Sequence, residues 1–256
     1  MEVVVKKLVL SVMVIGAVGA ACAENGPRQA TGEEIPESVR VEAGTMTTGF
    51  ASDRVHRKAS VDAYRIGKTL VSVARYKQCI AAGACTAPSL HGGVCDRPSS
   101  SADGRTFDAG DELPVSCVTP TQASAYCAWV GGSLAGEAEW LLAARGPEPA
   151  RFSWGSAQAT CEQHPSAVGC QRTGDAFQIS KHPKGASARG VEDVLLTPGE
   201  LVAHTRPTDS CPSPGPCAVQ STYPGDIVGV LPVDGAELKP WVRSYGFRCM
   251  WTGGAK

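Results

Sequence analysis

The stretch TPTQASAYCAWVGGSLAGEAEW, Thr119 to Trp140, decides the fold. Thr119 offers an N-cap, Pro120 fills the first helical position, and Gln122 completes a capping box. Ala123, Tyr126, Cys127 and Val130 then recur at i, i+3, i+4 and i+7, which predicts an amphipathic helix. Gly131-Gly132 stops it. They are not a phosphate loop, because no helix start at the right spacing follows. A further helix is expected from about Gly136 to Arg145, stopped by Gly146-Pro147. Glu137 and Glu139 lie two apart on that helix and face different ways, so they cannot act on one atom as an acid/base pair. Glu137 reads as a dipole or capping group.

Working outward, Ser72 to Ala82 reads as a helix capped by Ser72, with Val73, Tyr76 and Ile80 on one stripe and Gly83 at its end. Val61 to Ile66 alternates as a strand. Beyond Pro147 the chain reads mostly as loops with short apolar runs such as Asp226 to Val230. There is no internal repeat or heptad. One α+β domain, residues 41–252, with much irregular structure is the economical reading.

Composition narrows the function classes. The chain has 256 residues, 24 Lys+Arg against 25 Asp+Glu, and 43% hydrophobic content. A net charge of −1 argues against a dedicated nucleic-acid binder, and the apolar content argues against disorder. Eleven cysteines are more than a cytosolic protein of this size carries.

The N-terminus accounts for them. Lys6 and Lys7 precede a 14-residue apolar run, Leu8 to Ala21. As a helix it would rise only ~21 Å, short of a ~30 Å hydrocarbon core, so residues 1–22 read as a signal peptide. Gly19-Ala20-Ala21-Cys22 resembles a bacterial lipoprotein cleavage site, with Cys22 the lipid-bearing residue, although Gly19 stands where Leu is usual. Plain secretion is the alternative, since Ala21-Cys22-Ala23 also fits a small-x-small site. Either way the mature chain is expected outside the cytoplasm, in the bacterial periplasm or on the outer membrane. Residues 23–40 are polar and read as a linker.

Without Cys22, ten cysteines remain. Counting cannot pair them, but Cys79 and Cys85, Cys161 and Cys170, and Cys211 and Cys217 are local couples by spacing. No C-x-x-C occurs, which removes zinc-knuckle and thioredoxin readings. The histidines at 56, 91, 164, 182 and 204 show no metal-binding helical spacing.

At this point a family pattern is visible. Pro114-Val115-Ser116-Cys117-Val118, Ala123 to Gly132, Gly136-Glu137-Ala138-Glu139-Trp140, Ala143-Ala144-Arg145-Gly146, Phe152-Ser153-Trp154-Gly155 and Tyr245-Gly246-Phe247-Arg248-Cys249 run in order. Together they resemble the formylglycine-generating enzyme (sulfatase-modifying factor) family. Val41 to Met46 is similar to its opening strand. Tyr76 with Cys79 to Cys85 resembles a disulfide-rich bacterial branch. The resemblance implies a variant of the C-type-lectin-like fold, stapled by disulfides. It also implies pairing of Cys127 with Cys249, which leaves Cys95 for Cys117. Trp129, Trp140 and Trp154 are expected as core anchors.

The chain departs from that pattern where chemistry would lie. Active members oxidise a sulfatase cysteine to formylglycine, using oxygen and a copper ion held by two thiolates in a C-x-x-x-x-C motif before G-F-R. Here no cysteine lies between Cys217 and Cys249, and Ile227 to Pro232 replaces R-G-G-S-W. Cys211 and Cys217 enclose three prolines and read as a disulfide-closed loop. The G-N-V-W-E-W motif that helps build calcium sites in relatives becomes Leu196-Thr197-Pro198-Gly199-Glu200-Leu201. Asp193 and Glu200 remain as weak calcium candidates, short of the 6–8 oxygens Ca²⁺ takes. Ser133-Leu134-Ala135-Gly136 replaces R-L-P-T.

The expected function is therefore a degenerate, non-catalytic member of the family. It would be a monomeric binding module at the cell envelope, held by a membrane anchor and taking an unidentified protein or small-molecule ligand, with no nucleic acid. No cofactor is expected; copper and calcium enter only if the family sites survive. The alternative is an oxidoreductase that converts a sulfatase cysteine to formylglycine. A third reading, an iron-dependent sulfoxide synthase on the same fold, needs clustered histidines that the spacing does not offer. Trp241, Arg243, Tyr245 and the 205–225 loop are candidates for lining a former substrate cleft.

Overall fold

Val61 to Ile66, expected as one strand, is shared between two sheets. In the computed structural model, which describes residues 36–48, 57–88, 110–147, 150–171, 174–197, 199–204, 215–220, 229–232 and 245–253, Asp62-Ala63 breaks the run. Strand β3 (Arg57–Val61) pairs antiparallel with β2 (Gly44–Thr48). Strand β4 (Tyr64–Gly67) pairs instead with β1 (Ser38–Val41), placing Val41 opposite Tyr64. The opening segment Val41 to Met46 is likewise split between β1 and β2, at Glu42-Ala43. Strand β1 starts at Ser38, inside the stretch read as linker. The signal segment and Cys22 lie outside the described residues.

Helix α1 (Val73–Ala81) is capped by Ser72, whose Oγ accepts from the Arg75 N–H. Its buried face is Val73, Tyr76 and Cys79, and Ile80 is only partly buried. The stripe therefore turns on a cysteine that the apolar count passed over. Gly83 follows with φ +72°, as a helix stop requires. Helix α2 (Pro120–Trp129) carries the full capping box: Thr119 Oγ1 accepts from the Gln122 N–H at 3.2 Å, and Gln122 Oε1 accepts from the Thr119 N–H at 3.0 Å. Helix α3 (Glu137–Ala144) starts at Gly136, which has no side chain with which to cap it.

Strand β5 (Ser133–Leu134) and β10 (Cys249–Thr252) complete the first sheet in the order β1-β4-β10-β5. The approach of β10 needs Gly132, where a Cβ would lie 2.5 Å from the Met250 carbonyl oxygen. Gly132 is thus a packing requirement as well as a helix stop.

The region after residue 198, read as loops, holds a second four-stranded sheet. Its order is β8 (Gly229–Pro232), β7 (Gly215–Gln220), β6 (Gly199–His204), β9 (Gly246–Phe247). Glycine and proline hid it: Gly215-Pro216 opens β7, and Pro216 pairs with Ala203 at the end of the ladder, where its missing N–H is tolerated. Strand β9 runs parallel to β6, with Glu200 opposite Gly246.

Two main apolar clusters result. One packs Trp140, Leu141 and Leu142 of α3 against Met46, Val61, Ile66 and Val202. The other joins α1 and α2 to β9 and β10. There Tyr76 and Tyr126 stack at 5.8 Å, and Phe247 meets the Tyr126 ring edge-on at 5.6 Å.

Candidate functional site

The sequence Gly246-Phe247-Arg248-Cys249 crosses from one sheet to the other: Gly246-Phe247 is β9, Cys249 begins β10, and Arg248 stands between. Its side chain is 1% exposed. A guanidinium this deep must be paired and hydrogen-bonded, or its desolvation would exclude it. Nε donates to Glu200 Oε2 at 2.7 Å and Nη2 to Oε1 at 2.9 Å, a two-point ion pair. Nη1 donates to the carbonyls of Gly67 and Glu192, each at 3.2 Å.

Glu200 is fully buried, and two further donors complete its carboxylate. Trp140 Nε1 donates to Oε2 at 2.7 Å, and the Leu195 N–H to Oε1 at 3.1 Å. Each oxygen thus takes two donors, close to the capacity of a carboxylate. The network joins three motifs that looked independent in the sequence: Trp140, Glu200 and Arg248. The segment Ser133 to Gly136 stitches the same seam through its backbone. Ala135 N–H donates to the Arg248 carbonyl at 3.1 Å, and the Ala135 carbonyl accepts from Ala203 N–H at 2.8 Å.

Asp193 sits beside this network in the left-handed region, with φ 56°. Its two oxygens share the Ser180 N–H at 3.0 and 3.1 Å. Burial pushes its carboxyl up to about 6; the Ser180 hydrogen bond and the Arg248 charge pull the other way, and Glu192 and Glu200 add to the rise. The two calcium candidates therefore have different partners. Glu200 holds four protein donors and Asp193 holds a loop amide, so the pair does not form an oxygen-rich cation cradle.

The thiols can be tested against copper in the same way. Cys79–Cys85, Cys127–Cys249 and Cys161–Cys170 are disulfides, and Cys117 is also disulfide-bonded. A copper ion of the family type needs two thiolates, and no described cysteine side chain supplies one. Cys95, expected for Cys117, lies outside the described residues, as does Cys211; Cys217 belongs to β7. For iron, the histidines whose side chains are described are His164 and His182. His164 Nε2 faces the Leu195 carbonyl at 3.0 Å while Nδ1 accepts from the Ser166 N–H at 3.1 Å. His182 Nε2 faces the Ala176 carbonyl at 2.8 Å. These two rings bind backbone and do not converge.

Other expected residues also find places. Trp140 is a core anchor, whereas Trp129 and Trp154 are half-buried; Trp154 stacks on Phe152 at 4.7 Å. Glu137 is buried in the first turn of α3, and its charge acts on Arg145. Tyr245 is packed in the core. It is 1% exposed within the α1–α2 cluster, and burial raises its phenol above the ordinary range. Trp241, Arg243 and most of the 205–225 loop lie outside the described residues.

A concave feature that sequence reading missed lies beside α1. It is a cavity of about 260 Å³, with Leu70, Tyr126 and Trp251 contributing apolar lining and Arg75, Gln78 and Glu112 contributing polar lining. Arg75 and Gln78 are exposed positions on α1, and helical spacing alone gives such positions no distinction from solvent-facing ones.

The comparisons agree with this architecture. A hercynine oxygenase of Mycolicibacterium smegmatis is 43% identical over 93 residues, 34% of this chain and 20% of that protein. One of Mycolicibacterium thermoresistibile is 36% identical over 100 residues, 36% and 21% respectively. The chain thus spans about a fifth of the length of these curated relatives. Among solved structures, CarF matches with a TM-score of 0.54 at 15% identity, over 86% of this chain and 99% of its own. PvdO from Pseudomonas aeruginosa matches at 0.50 and 21%, over 84% and 94%. At these identities the two structures show the fold. Residues 23–195, more than half of the chain, match the family model of the sulfatase-modifying factor enzyme 1-like domain, and the chain belongs to that family.

Proposed function

We propose that this chain is a binding module of its family rather than an oxidase, carried at the bacterial envelope by a lipid on Cys22. The observation that carries this reading is the oxidation state of the cysteines. All seven whose side chains are described are in disulfides. With Cys95 assigned to Cys117 and Cys22 to lipid, only Cys211 and Cys217 remain. They enclose Pro212, Pro214 and Pro216, a loop suited to a disulfide, and they precede the position where the family holds copper. The motifs that survive, Trp140 and Arg248, serve the scaffold through Glu200. A ligand site on such a scaffold would fall to its loops or to the cavity beside α1. Calcium is not part of the reading, because Glu200 is already saturated by Arg248, Trp140 and Leu195.

Peptide mapping of the mature chain under non-reducing conditions tests this. A Cys211–Cys217 bridge is the expected result; two free thiols there would overturn it and restore a metal or redox role. The similarity to hercynine oxygenases favours a second reading, oxygenase activity on hercynine or a similar small molecule. Iron-dependent turnover of hercynine by the purified chain would establish that reading in place of the first.

A further inference from the structure

The three disulfides with both partners described differ in access. Cys79, Cys85, Cys127 and Cys249 are buried, at 0%, 8%, 0% and 2% exposure. Cys161 is an exposed residue and Cys170 a half-buried one, so this bridge alone of the three has no buried half-cystine. It closes the short loop CEQHPSAVGC, with a sequence separation of 9. Inside the loop one polar side chain is buried: His164, 5% exposed.

That histidine is the loop's inward anchor. Nδ1 accepts from the Ser166 N–H, so the proton is on Nε2, which donates to the Leu195 carbonyl. The docked ring is therefore neutral. Leu195 itself holds φ 55°, an unfavourable left-handed conformation for a leucine, next but one to Asp193 at 56°. Its N–H is fixed by Glu200 and its carbonyl by His164. A further side-chain tie of the loop to the body, Lys184 to Glu162 at 2.9 Å, is an exposed ion pair of little weight. The bridge thus restrains a loop whose removal from the surface would free one end of a strained turn, while Arg248 and Glu200 keep the core closed.

We infer that Cys161–Cys170 is a redox-operated clasp that holds His164 against Leu195. A dithiol attacks the sulfur of the exposed residue Cys161 as its thiolate, breaking the S–S bond and releasing Cys170 as a thiol. The second thiol of the reductant then displaces Cys161. The reductant leaves as its own disulfide, and the protein gains two S–H groups and two electrons. The loop, no longer closed, lets His164 leave Leu195, which places an imidazole and two thiols at the surface. The inference is independent of whether the domain is catalytic.

The test is graded reduction of the full mature chain with dithiothreitol, followed by alkylation and peptide mass spectrometry, with the histidine ring resonances followed by NMR. Cys161 and Cys170 should be labelled at reductant levels that leave Cys79–Cys85 and Cys127–Cys249 intact. In the same range the His164 ring signal should shift, with near-UV dichroism of the core unchanged. Reduction of this bridge only together with the buried ones, or its reduction with the His164 signal unmoved, would overturn the inference. The Cys161→Ser/Cys170→Ser double variant should show the shifted His164 signal without reductant. A double variant whose His164 signal matches the oxidised parent would equally overturn it.

Discussion

Arg248 and Glu200 form a two-point ion pair at the seam between the two four-stranded sheets, with Nε–Oε2 at 2.7 Å and side chains 1% and 0% exposed. Such a pair adds little over a well-packed apolar replacement, yet breaking it strands a charge in the core. Arg248→Met or Glu200→Leu alone should cost about 3–5 kcal/mol, and the double variant markedly less than the sum. Urea unfolding of the mature chain measures both. A single variant within about 0.5 kcal/mol of the parent would contradict the role given to the pair.

Trp140→Phe keeps most of the ring and removes one donor from Glu200. The expected loss is about 1–3 kcal/mol, the cost of leaving a buried acceptor short. Trp129→Phe, at a half-buried position, should cost less than Trp140→Phe in the same titration. Equal losses would mean that the indole N–H of Trp140 has no special part.

Asp193 gives a pH dependence of definite sign. Its folded value, about 6, lies above its ordinary value of 3.8, so the folded chain holds the proton more tightly. Its contribution is fully present below about pH 4 and is lost as pH rises through about 6, roughly 3 kcal/mol in all. Asp193→Asn removes the charge, keeps an acceptor for Ser180, and suits the left-handed backbone. It should stabilise the chain above pH 6.5 and match the parent near pH 4, by thermal unfolding across that range. Destabilisation at pH 7.5 would count against the assignment.

The disulfides should rank by the loops they close. Cys127–Cys249 spans a sequence separation of 122 and Cys79–Cys85 one of 6. The chain-entropy account gives about 5 and about 2 kcal/mol for their loss. Paired serine variants, unfolded by denaturant, test the order; the reverse order would point to native-state packing as the larger effect.

What could be read in the sequence was local. Thr119 and Gln122 cap α2 through neighbours three residues away, so the capping box was visible in four letters. The Trp140–Glu200–Arg248 network was not, because its members are 60 and 48 residues apart. In the sequence Glu200 reads as an isolated carboxylate, and so as a weak metal candidate. A buried arginine leaves no mark on an apolar pattern, since arginine is ordinarily at the surface. Strands β6 to β8 were lost behind Gly199, Gly215, Pro216 and Gly229. The split of Val61 to Ile66 between sheets depends on which strands dock on each half, a tertiary choice with no local signal.

On the proposed reading, the family scaffold is kept here without the family's oxidation chemistry. Its most direct test is incubation of the mature, disulfide-intact chain with copper, oxygen and a sulfatase-type C-x-P-x-R peptide, read by mass spectrometry at the peptide cysteine. The cysteine should remain unchanged; its conversion to formylglycine would contradict the account.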